Sequence, residues 1–144
     1  MPTTFELRSS AASDFAFCWP IYREAMQPLT EMVTQWNEPA QRRIVELAVA
    51  DAGTSILKAE SGDAGWLQVQ ETRYVVELKQ LYIVPALRNR GLGTSFLTWM
   101  KERADRKRKD LTVELTATSP ARRLLERLGF KAVPASGGRV TMRY

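Results

Sequence analysis

The chain has 144 residues, 44% of them hydrophobic, a net charge of +5, one cysteine and no histidine. A chain of this length buries roughly 70% of its unfolded surface without covalent staples, so we expect residues 1–144 to form a single domain. The lone Cys18 excludes an intramolecular disulfide and a cysteine zinc site. The missing histidines exclude serine–histidine and cysteine–histidine catalysis and the usual transition-metal ligands, so we expect no metal.

No run of apolar residues approaches the eighteen or so that a membrane span requires, and Met1–Arg8 lacks a basic segment leading into an apolar one. We therefore expect no membrane partner and a cytoplasmic location. The basic excess fits a nucleic acid, an anionic cofactor or simple solubility, and composition does not choose among them.

Hydrophobic periodicity predicts the elements of the first half, where alternation marks strands and polar or proline-containing segments mark helix starts. These elements are strand Thr4–Arg8, helix Phe15–Met26 with a Ser13 cap and Pro20 inside it, loop Gln35–Pro39, helix Ala40–Ala50, and strands Ser55–Ala59 and Trp66–Glu71 joined by a turn at 61–63.

The second half alternates longer strands with amphipathic helices. It comprises strand Tyr74–Val84, helix Gly91–Arg106, strand Leu111–Thr116, a helix opened by Ser119–Pro120 and stopped by Gly129, and strand Val140–Tyr144. The order indicates a mixed α/β (α+β) fold, in which strands linked through helices should run parallel.

The segment Leu81–Thr94 carries the clearest chemical signal. A strand ends at Pro85, a basic turn follows, and Gly91 and Gly93 open a helix whose unpaired N–H groups suit a phosphate. The P-loop is excluded because no lysine follows Gly93, and the dinucleotide fingerprint is excluded because Phe96 occupies its third glycine position. A tight strand-to-helix turn without a ligand is the simpler alternative.

Two motifs resemble those of the GNAT (Gcn5-related) N-acetyltransferases. Arg88–Gly93 matches the motif Arg/Gln-x-x-Gly-x-Gly/Ala, and Ser119–Phe130 is similar to the family segment Asn-x-x-Ala…Leu-Tyr-Glu-Lys-x-Gly-Phe. The resemblance covers Trp66–Phe130. It implies a central mixed, largely antiparallel sheet with a splayed parallel strand pair and helices on both faces.

The resemblance also implies an enzyme that transfers acetyl from acetyl-CoA to an amine of a small molecule or peptide, by direct attack on the thioester. The implied cofactor-binding residues are Leu81, Ile83, Arg88, Asn89, Arg90, Gly91, Leu92, Gly93, Thr94 and Ser119. Homodimers are common in the family.

Glu77 stands where histone-type members of the family have their glutamate base, six residues before Ile83. We expect apolar neighbours to raise its pKa, and a backbone N–H near Ile83 to stabilise the oxyanion. An ordinary strand carboxylate paired with Lys79 is the alternative. Many family members have a tyrosine that protonates the leaving thiolate, and Leu125 occupies that position here. Tyr82 is therefore a candidate for the missing acid.

The N-terminal third of the chain resembles the family least, and the acceptor pocket is expected there. Tyr22, Trp36 and Glu38 are the candidates for binding a cationic amine. Core packing explains the same residues equally well. Two further functions stay open: a CoA-binding module without turnover, suggested by Leu125, and a nucleic-acid-binding domain using the basic run Lys101–Lys109. A solvated helix end is the more common interpretation of such a run.

Overall fold

A computed structural model describes residues 4–133 and 138–144 and builds them around a single mixed sheet. The elements are β1 (Glu6–Ser9), a 3-10 turn (Ala12–Asp14), α1 (Phe15–Glu31), α2 (Glu38–Val49), β2 (Thr54–Ala59), β3 (Gly62–Glu71), β4 (Val75–Ile83), a 3-10 turn (Pro85–Leu87), α3 (Leu92–Lys107), β5 (Asp110–Thr116), α4 (Ala121–Arg127), β6 (Lys131–Val133) and β7 (Arg139–Arg143).

The strands lie in the order β1-β2-β3-β4-β5-β7-β6, and neighbours are antiparallel except for β4 and β5. This arrangement confirms the expected mixed, largely antiparallel sheet. The sequence predicted that strands linked through helices run parallel. This is confirmed for β4 and β5, which are joined by α3. It is wrong for β1 and β2, because two helices connect them and the second helix reverses the chain direction once more.

Helices cover both faces of the sheet, and each face has its own apolar core. The core on the α3 side includes Phe96, Leu97, Met100, Leu125 and Met142, and the core on the α1–α2 side includes Cys18, Trp19, Tyr22, Val45 and Trp66. Each large side chain buried in this way contributes roughly 1.5–3 kcal/mol. Within the described ranges, no helix is long and apolar enough to cross a membrane.

The start of α1 differs from the sequence prediction. Asp14, not Ser13, is the N-cap, and its side chain makes no capping hydrogen bond within α1. Its carboxylate accepts from the Ala11 N–H at 2.8 Å and pairs with Arg8 at 2.9 Å, and the Arg8 hydrogen bond lowers the Asp14 pKa. The helix continues through Pro20 and Pro28, and each proline removes one backbone N–H from the hydrogen bonds of α1.

The strand ends also show what periodicity missed. The predicted turn at 61–63 is wrong by one residue: Glu60 and Ser61 form it, and Gly62 opens β3 with a φ of 121°. Strand β6 was not predicted, because three residues are too few to show alternation. Asn37 caps α2 by accepting from the Ala40 N–H at 3.0 Å, and Pro39 lies in the first turn as expected.

Gly65 of β3 lies against the backbone of β4, with no room for a side chain. A Cβ added there would lie 2.2 Å from the Tyr82 carbonyl oxygen. We expect Gly65→Ala to lower the free energy of unfolding by about 1–3 kcal/mol, measured by urea denaturation, because the strands must separate. Gly93→Ala is the control, since its Cβ would meet Ile83 Cδ1 at an ordinary 3.4 Å. Equal midpoints for Gly65→Ala and wild type would contradict this prediction.

Candidate active site

The segment between β4 and α3 forms a tight turn that ends in an open helix N-terminus. Asn89 and Gly91 have φ angles of 60° and 86°, in the left-handed region, and Gly91 is the N-cap of α3. Helix geometry leaves the N–H groups of Leu92, Gly93 and Thr94 without an acceptor inside α3. Together with the positive end of the helix dipole, these groups form a site suited to an anion.

Packing fixes this turn against the end of β4 while leaving it accessible. Leu92 is buried in the core on the α3 side, whereas Gly91 and Thr94 are exposed. A Cβ on Gly93 would touch Ile83 Cδ1, so the helix start and the strand end are in direct proximity. We refer to residues 88–94 as the phosphate turn.

Strands β4 and β5 separate beside this turn. Their pairing begins at Val75 with Asp110 and ends at Leu78 with Val113, so the rest of β4 has no partner on that side within the described residues. Val84 N–H donates to Ala64 O of β3 at 2.8 Å, and hydrogen-bonding sides alternate along a strand. The N–H groups of Leu81 and Ile83 therefore face the gap that β5 leaves, which we call the split.

A one-residue bulge lies at the start of the split. Gln68 of β3 is opposite Gln80, but the next residue, Val69, is opposite Leu78, so Lys79 is the extra residue. Before the bulge, even-numbered residues of β4 face α3, and after it odd-numbered residues do. As a consequence, Glu77 and Tyr82 lie on the same face, the one covered by α1 and α2.

Glu77 does not have the apolar surroundings expected from the sequence. Its cross-strand neighbours are Gln70 on β3 and Thr112 on β5, and it is half-buried. The alternative pairing with Lys79 is also absent among the described residues, since the Lys79 ammonium donates to Gln70 at 3.4 Å. The Glu77 carboxylate thus lies on the α1–α2 face, just before the split, with its oxygens uncommitted to any ion pair of the described chain.

Tyr82 starts a chain of hydrogen bonds that crosses the sheet. Its hydroxyl donates to Gln80 Oε1 at 3.1 Å, Gln80 Nε2 donates to Gln68 Oε1 at 3.0 Å, and Gln68 Nε2 donates to Asp51 Oδ2 at 3.3 Å. Burial raises the pKa of Tyr82 far above its usual range, and burial raises the pKa of Tyr22 as well. Both phenols are therefore neutral hydrogen-bond donors.

Two of the three acceptor-pocket candidates, Tyr22 and Trp36, pack together on the α1–α2 side. Tyr22 packs 6.3 Å from Trp36 and 5.3 Å from Tyr82, measured between ring centroids, and its hydroxyl donates to Gln41. Glu38, however, pairs with Arg23 at 3.1 Å. The rings therefore form one aromatic wall, while the Glu38 charge already has a cationic partner.

Arg88 has partners other than an anion. Its Nε donates to the Ile83 carbonyl at 2.9 Å, and its two Nη atoms contact the Glu24 carboxylate at 3.0 and 2.6 Å. Its backbone N–H donates to the Pro85 carbonyl at 3.3 Å. The Arg88 hydrogen bond lowers the Glu24 pKa. The side chain thus clamps the end of β4 to α1, which the sequence analysis did not anticipate.

Residues 43–132 match the family model of the acetyltransferase (GNAT) domain. This chain belongs to the GNAT family. The match covers more than half of the 144 residues and contains the phosphate turn and the split, so the expectation from the two motifs is confirmed.

Solved structures of GNAT-like fold agree over nearly the whole chain. Apo YjaB from Escherichia coli has a TM-score of 0.74 at 15% identity and covers 98% of this chain and 97% of its own. PaiA N-acetyltransferase from Thermoplasma acidophilum, in complex with coenzyme A, has a TM-score of 0.73 at 15% identity, with 97% and 98% covered. Ribosomal-protein-S18-alanine N-acetyltransferase from Escherichia coli has a TM-score of 0.67 at 18% identity, with 97% and 92% covered. No curated protein matches the sequence.

The second GNAT-like motif lies across the core from the α1–α2 face. Ser119 lies one residue before Pro120, the N-cap of α4, and its Oγ accepts from the Ala121 N–H at 3.2 Å. Leu125 is 2% exposed and packs in the core on the α3 side. Position 125 therefore supplies packing where many GNAT enzymes have a tyrosine, and α4 offers no hydroxyl there.

Three lysines of the basic run Lys101–Lys109 are engaged within the fold. Lys107 and Lys109 both bind the Glu71 carboxylate, at 2.9 and 2.7 Å, and together they lower its pKa to about 2. Lys101 donates to the Leu128 carbonyl at 2.6 Å. These contacts favour a structural role for the run over nucleic-acid binding. Among the residues that the structure describes, no group of His, Cys, Asp and Glu could hold a metal ion.

Sequence reasoning missed the residues that support the site. Glu24 gave no signal, because its partner Arg88 is 64 positions away. Gln80 shares a face with Tyr82 because the two are two residues apart on a strand, but its link through Gln68 to Asp51 depends on the pairing of β4 with β3. Glu114 of β5 and Arg139 of β7 form an ion pair, the Arg139 charge opposes the rise in the pKa of both tyrosines, and only the strand pairing brings Glu114 and Arg139 together.

The contribution of the Arg88 guanidinium, which contacts both Glu24 and the Ile83 carbonyl, is tested by substitution. Arg88→Lys keeps the charge but loses the simultaneous contacts with Glu24 and Ile83, so we expect the free energy of unfolding to fall by about 1 kcal/mol in urea denaturation. Arg106→Lys, at the exposed end of α3, is the matched control and should stay within about 0.5 kcal/mol of wild type. An unchanged midpoint for Arg88→Lys would show that the clamp adds nothing.

Proposed function

We propose that this protein is an acetyl-CoA-dependent N-acetyltransferase acting on an amine of a small molecule or peptide. The observation that carries the proposal is the phosphate turn lying directly beside the split, with Gly93 against Ile83. Membership of the GNAT family supports acetyl transfer, and the similar fold of a PaiA N-acetyltransferase has coenzyme A bound.

The residues of the turn fit the phosphates of such a co-substrate. The N–H groups of Leu92, Gly93 and Thr94 would bind the pyrophosphate, and the positive φ of Asn89 and Gly91 shapes the backbone around it. Arg90 and Ser119 remain candidates for further contacts with the nucleotide end. Arg88 would act by holding the strand end rather than by touching phosphate.

The backbone of β4 would bind the pantetheine arm and polarise the thioester. The N–H groups of Leu81 and Ile83 face the split, where an extended ligand can hydrogen-bond to them as a strand would. The Leu81 N–H, which is further from the phosphate turn and nearer to Glu77, would donate to the thioester oxygen as negative charge develops there. The hydrogen bond from Arg88 Nε to the Ile83 carbonyl holds the end of β4 beside this binding edge.

Acetyl-CoA supplies an acetyl group activated as a thioester. The acceptor nitrogen forms a bond to the acetyl carbon, the carbon–sulfur bond breaks, and the sulfur leaves with the electron pair. Glu77 would take the proton from the acceptor ammonium, directly or through water. Tyr82 would not act as the acid, because burial raises its pKa far above the usual range and its O–H already donates to Gln80. Leu125 offers no acid, so the thiolate would leave unprotonated or take a proton from water.

The acceptor would approach from the α1–α2 face, on which Glu77 and Tyr82 lie. The rings of Tyr22 and Trp36 would form its wall, and the pairing of Glu38 with Arg23 argues against Glu38 as the charge that attracts the amine. We also propose that residues 1–144 act as one domain in the cytoplasm, on the sequence arguments given above.

A CoA-binding module without turnover is the second candidate, and the buried Leu125 favours it. Such a module would use the same turn and split but would release no thiol. A thiol-release assay with a panel of amines separates the two, because only the enzyme produces free CoA in an acceptor-dependent manner.

Acetyl-CoA should stabilise the folded protein, since a ligand bound only to the native state raises the unfolding temperature. At a hundredfold excess over the dissociation constant, the gain is about 2.7 kcal/mol, which shifts the melting temperature by several degrees in a thermal-shift assay. Pantetheine, which lacks the phosphates, is the control and should shift it little. No shift with acetyl-CoA at saturating concentrations would overturn the proposed function.

Glu77→Gln should lower kcat by about a hundredfold or more, without changing the affinity for acetyl-CoA, because it removes the base but no backbone N–H. The pH dependence of kcat/KM should lose its acidic limb at the same time. Glu46→Gln, on the exposed side of α2, is the control and should keep wild-type rates. An unchanged pH profile in Glu77→Gln would remove Glu77 from the mechanism.

A further inference from the structure

We propose that the hydrogen-bond chain ending at Asp51 positions the acceptor amine through Tyr82, by turning the Tyr82 O–H inward so that its oxygen accepts an N–H of the amine. This inference rests on the proposed transfer from acetyl-CoA. The chain runs from Tyr82 through Gln80 and Gln68 to Asp51, on the face of the sheet from which the acceptor would approach. Its direction decides whether the Tyr82 hydroxyl donates to the acceptor or accepts from it.

Asp51 fixes the direction of the chain. A carboxylate accepts hydrogen bonds and donates none, so Asp51 requires the amide nitrogen of Gln68, which donates to it at 3.3 Å. The Gly53 N–H donates to the same Asp51 oxygen at 2.9 Å and holds the carboxylate there. The amide oxygen of Gln68 is left for Gln80, whose nitrogen donates to it at 3.0 Å. The oxygen of Gln80 then accepts the Tyr82 O–H at 3.1 Å, so the hydroxyl proton points inward.

The Tyr82 oxygen remains able to accept a hydrogen bond. A hydroxyl that donates one hydrogen bond still has lone pairs, and within the described residues the contact with Gln80 is the hydrogen bond that this hydroxyl makes. Burial holds the pKa of Tyr82 far above its usual range, so the proton stays on the phenol and the direction of the chain does not change near neutral pH. The side chain nevertheless keeps part of its surface accessible.

Tyr82 and Gln80 lie beside the proposed position of the thioester. Both belong to the part of β4 that follows Leu78, so they border the split. They flank Leu81, whose N–H is the proposed donor to the thioester oxygen, and their side chains are on the acceptor side of the sheet. The hydrogen bond to Gln80 draws the Tyr82 hydroxyl back along the strand towards Leu81. A nucleophile that reaches the acetyl carbon from this side therefore passes the phenol oxygen.

The inward direction of the O–H suits a nucleophilic amine. A Tyr82 O–H turned towards the acceptor would donate to the nitrogen lone pair, which has to form the bond to the acetyl carbon. An oxygen that accepts an N–H orients the nitrogen and leaves its lone pair free. A primary amine that has given one proton to Glu77 keeps two N–H groups, one for Tyr82 and one that leaves as the amide forms. A secondary amine keeps a single N–H, so its contact with Tyr82 competes with the loss of that proton.

Matched amines test the contact with Tyr82. The probes are the primary amine with the highest kcat/KM in the thiol-release panel and its N-methyl derivative. Tyr82→Phe should lower the kcat/KM ratio of the two amines by about fivefold and leave the affinity for acetyl-CoA unchanged, because one hydrogen bond to the primary amine is lost. Crowding by the added methyl group alone would leave this ratio as in wild type. Tyr74→Phe, which removes a hydroxyl from a 69% exposed residue directly before β4, is the matched control and should keep the wild-type ratio.

Gln68→Met tests the chain, because residue 68 lies on β3 and reaches Tyr82 through Gln80. Without the Gln68 oxygen, the Gln80 amide is free to turn over and donate to the Tyr82 oxygen, which directs the O–H towards the acceptor. We expect Gln68→Met to lower the same ratio by roughly threefold and to have no further effect in the Tyr82→Phe background. Circular dichroism and the stabilisation by acetyl-CoA should stay those of wild type.

An unchanged ratio in Tyr82→Phe would overturn the contact with the acceptor and leave the proposed function intact. An effect of Gln68→Met that persists in the Tyr82→Phe background would overturn the role of the chain. If acetyl-CoA raises the melting temperature but no amine releases thiol, amine transfer and this inference are both overturned, while CoA binding stands. If circular dichroism shows that Tyr82→Phe is unfolded, the ratio in Gln68→Met decides, and an unchanged ratio there overturns the inference.

Discussion

The candidate site depends on the point at which β4 and β5 stop sharing hydrogen bonds. Until Leu78 and Val113 the two strands are an ordinary parallel pair, and beyond them one side of β4 is left with donors and acceptors that the sheet does not use. Buried backbone groups require partners, so such a gap persists only where a ligand or solvent supplies them. The phosphate turn follows the same strand directly, which brings an anion site and a strand-like binding edge into contact.

The sequence predicted this arrangement well where local chemistry determines it. Gly91, Gly93 and the preceding strand are close in the chain, so their helix N-terminus could be recognised without knowledge of the fold. The ranges of α2, α3 and β5 also agree to within two residues, because long periodic segments dominate their own secondary structure.

The sequence did not predict the surroundings of charged side chains whose partners come from distant segments of the chain. Arg88 looked like a free positive charge for a phosphate, but α1 supplies Glu24 from 64 positions away. Glu77 looked like a residue among apolar neighbours, but its neighbours across the sheet are Gln70 and Thr112. The basic run near Lys107 likewise finds Glu71 on another strand. In each case the role of a charged residue was predicted from its neighbours in the sequence, whereas the fold brings its actual neighbours from a distant segment.

The bulge at Lys79 allows β4 to place apolar side chains in the core along its whole length and still place both Glu77 and Tyr82 on the acceptor side. A regular strand would have turned Glu77 and Tyr82 to opposite faces, so the core and the acceptor side would have competed for the same positions. With one extra residue, the strand meets the core at Val76 and Leu78 before the bulge and at Leu81 and Ile83 after it. If Lys79 instead took a regular place in the ladder, the outer half of β4 would rotate as a unit, carrying Tyr82 into the core and the aliphatic side chains towards the acceptor.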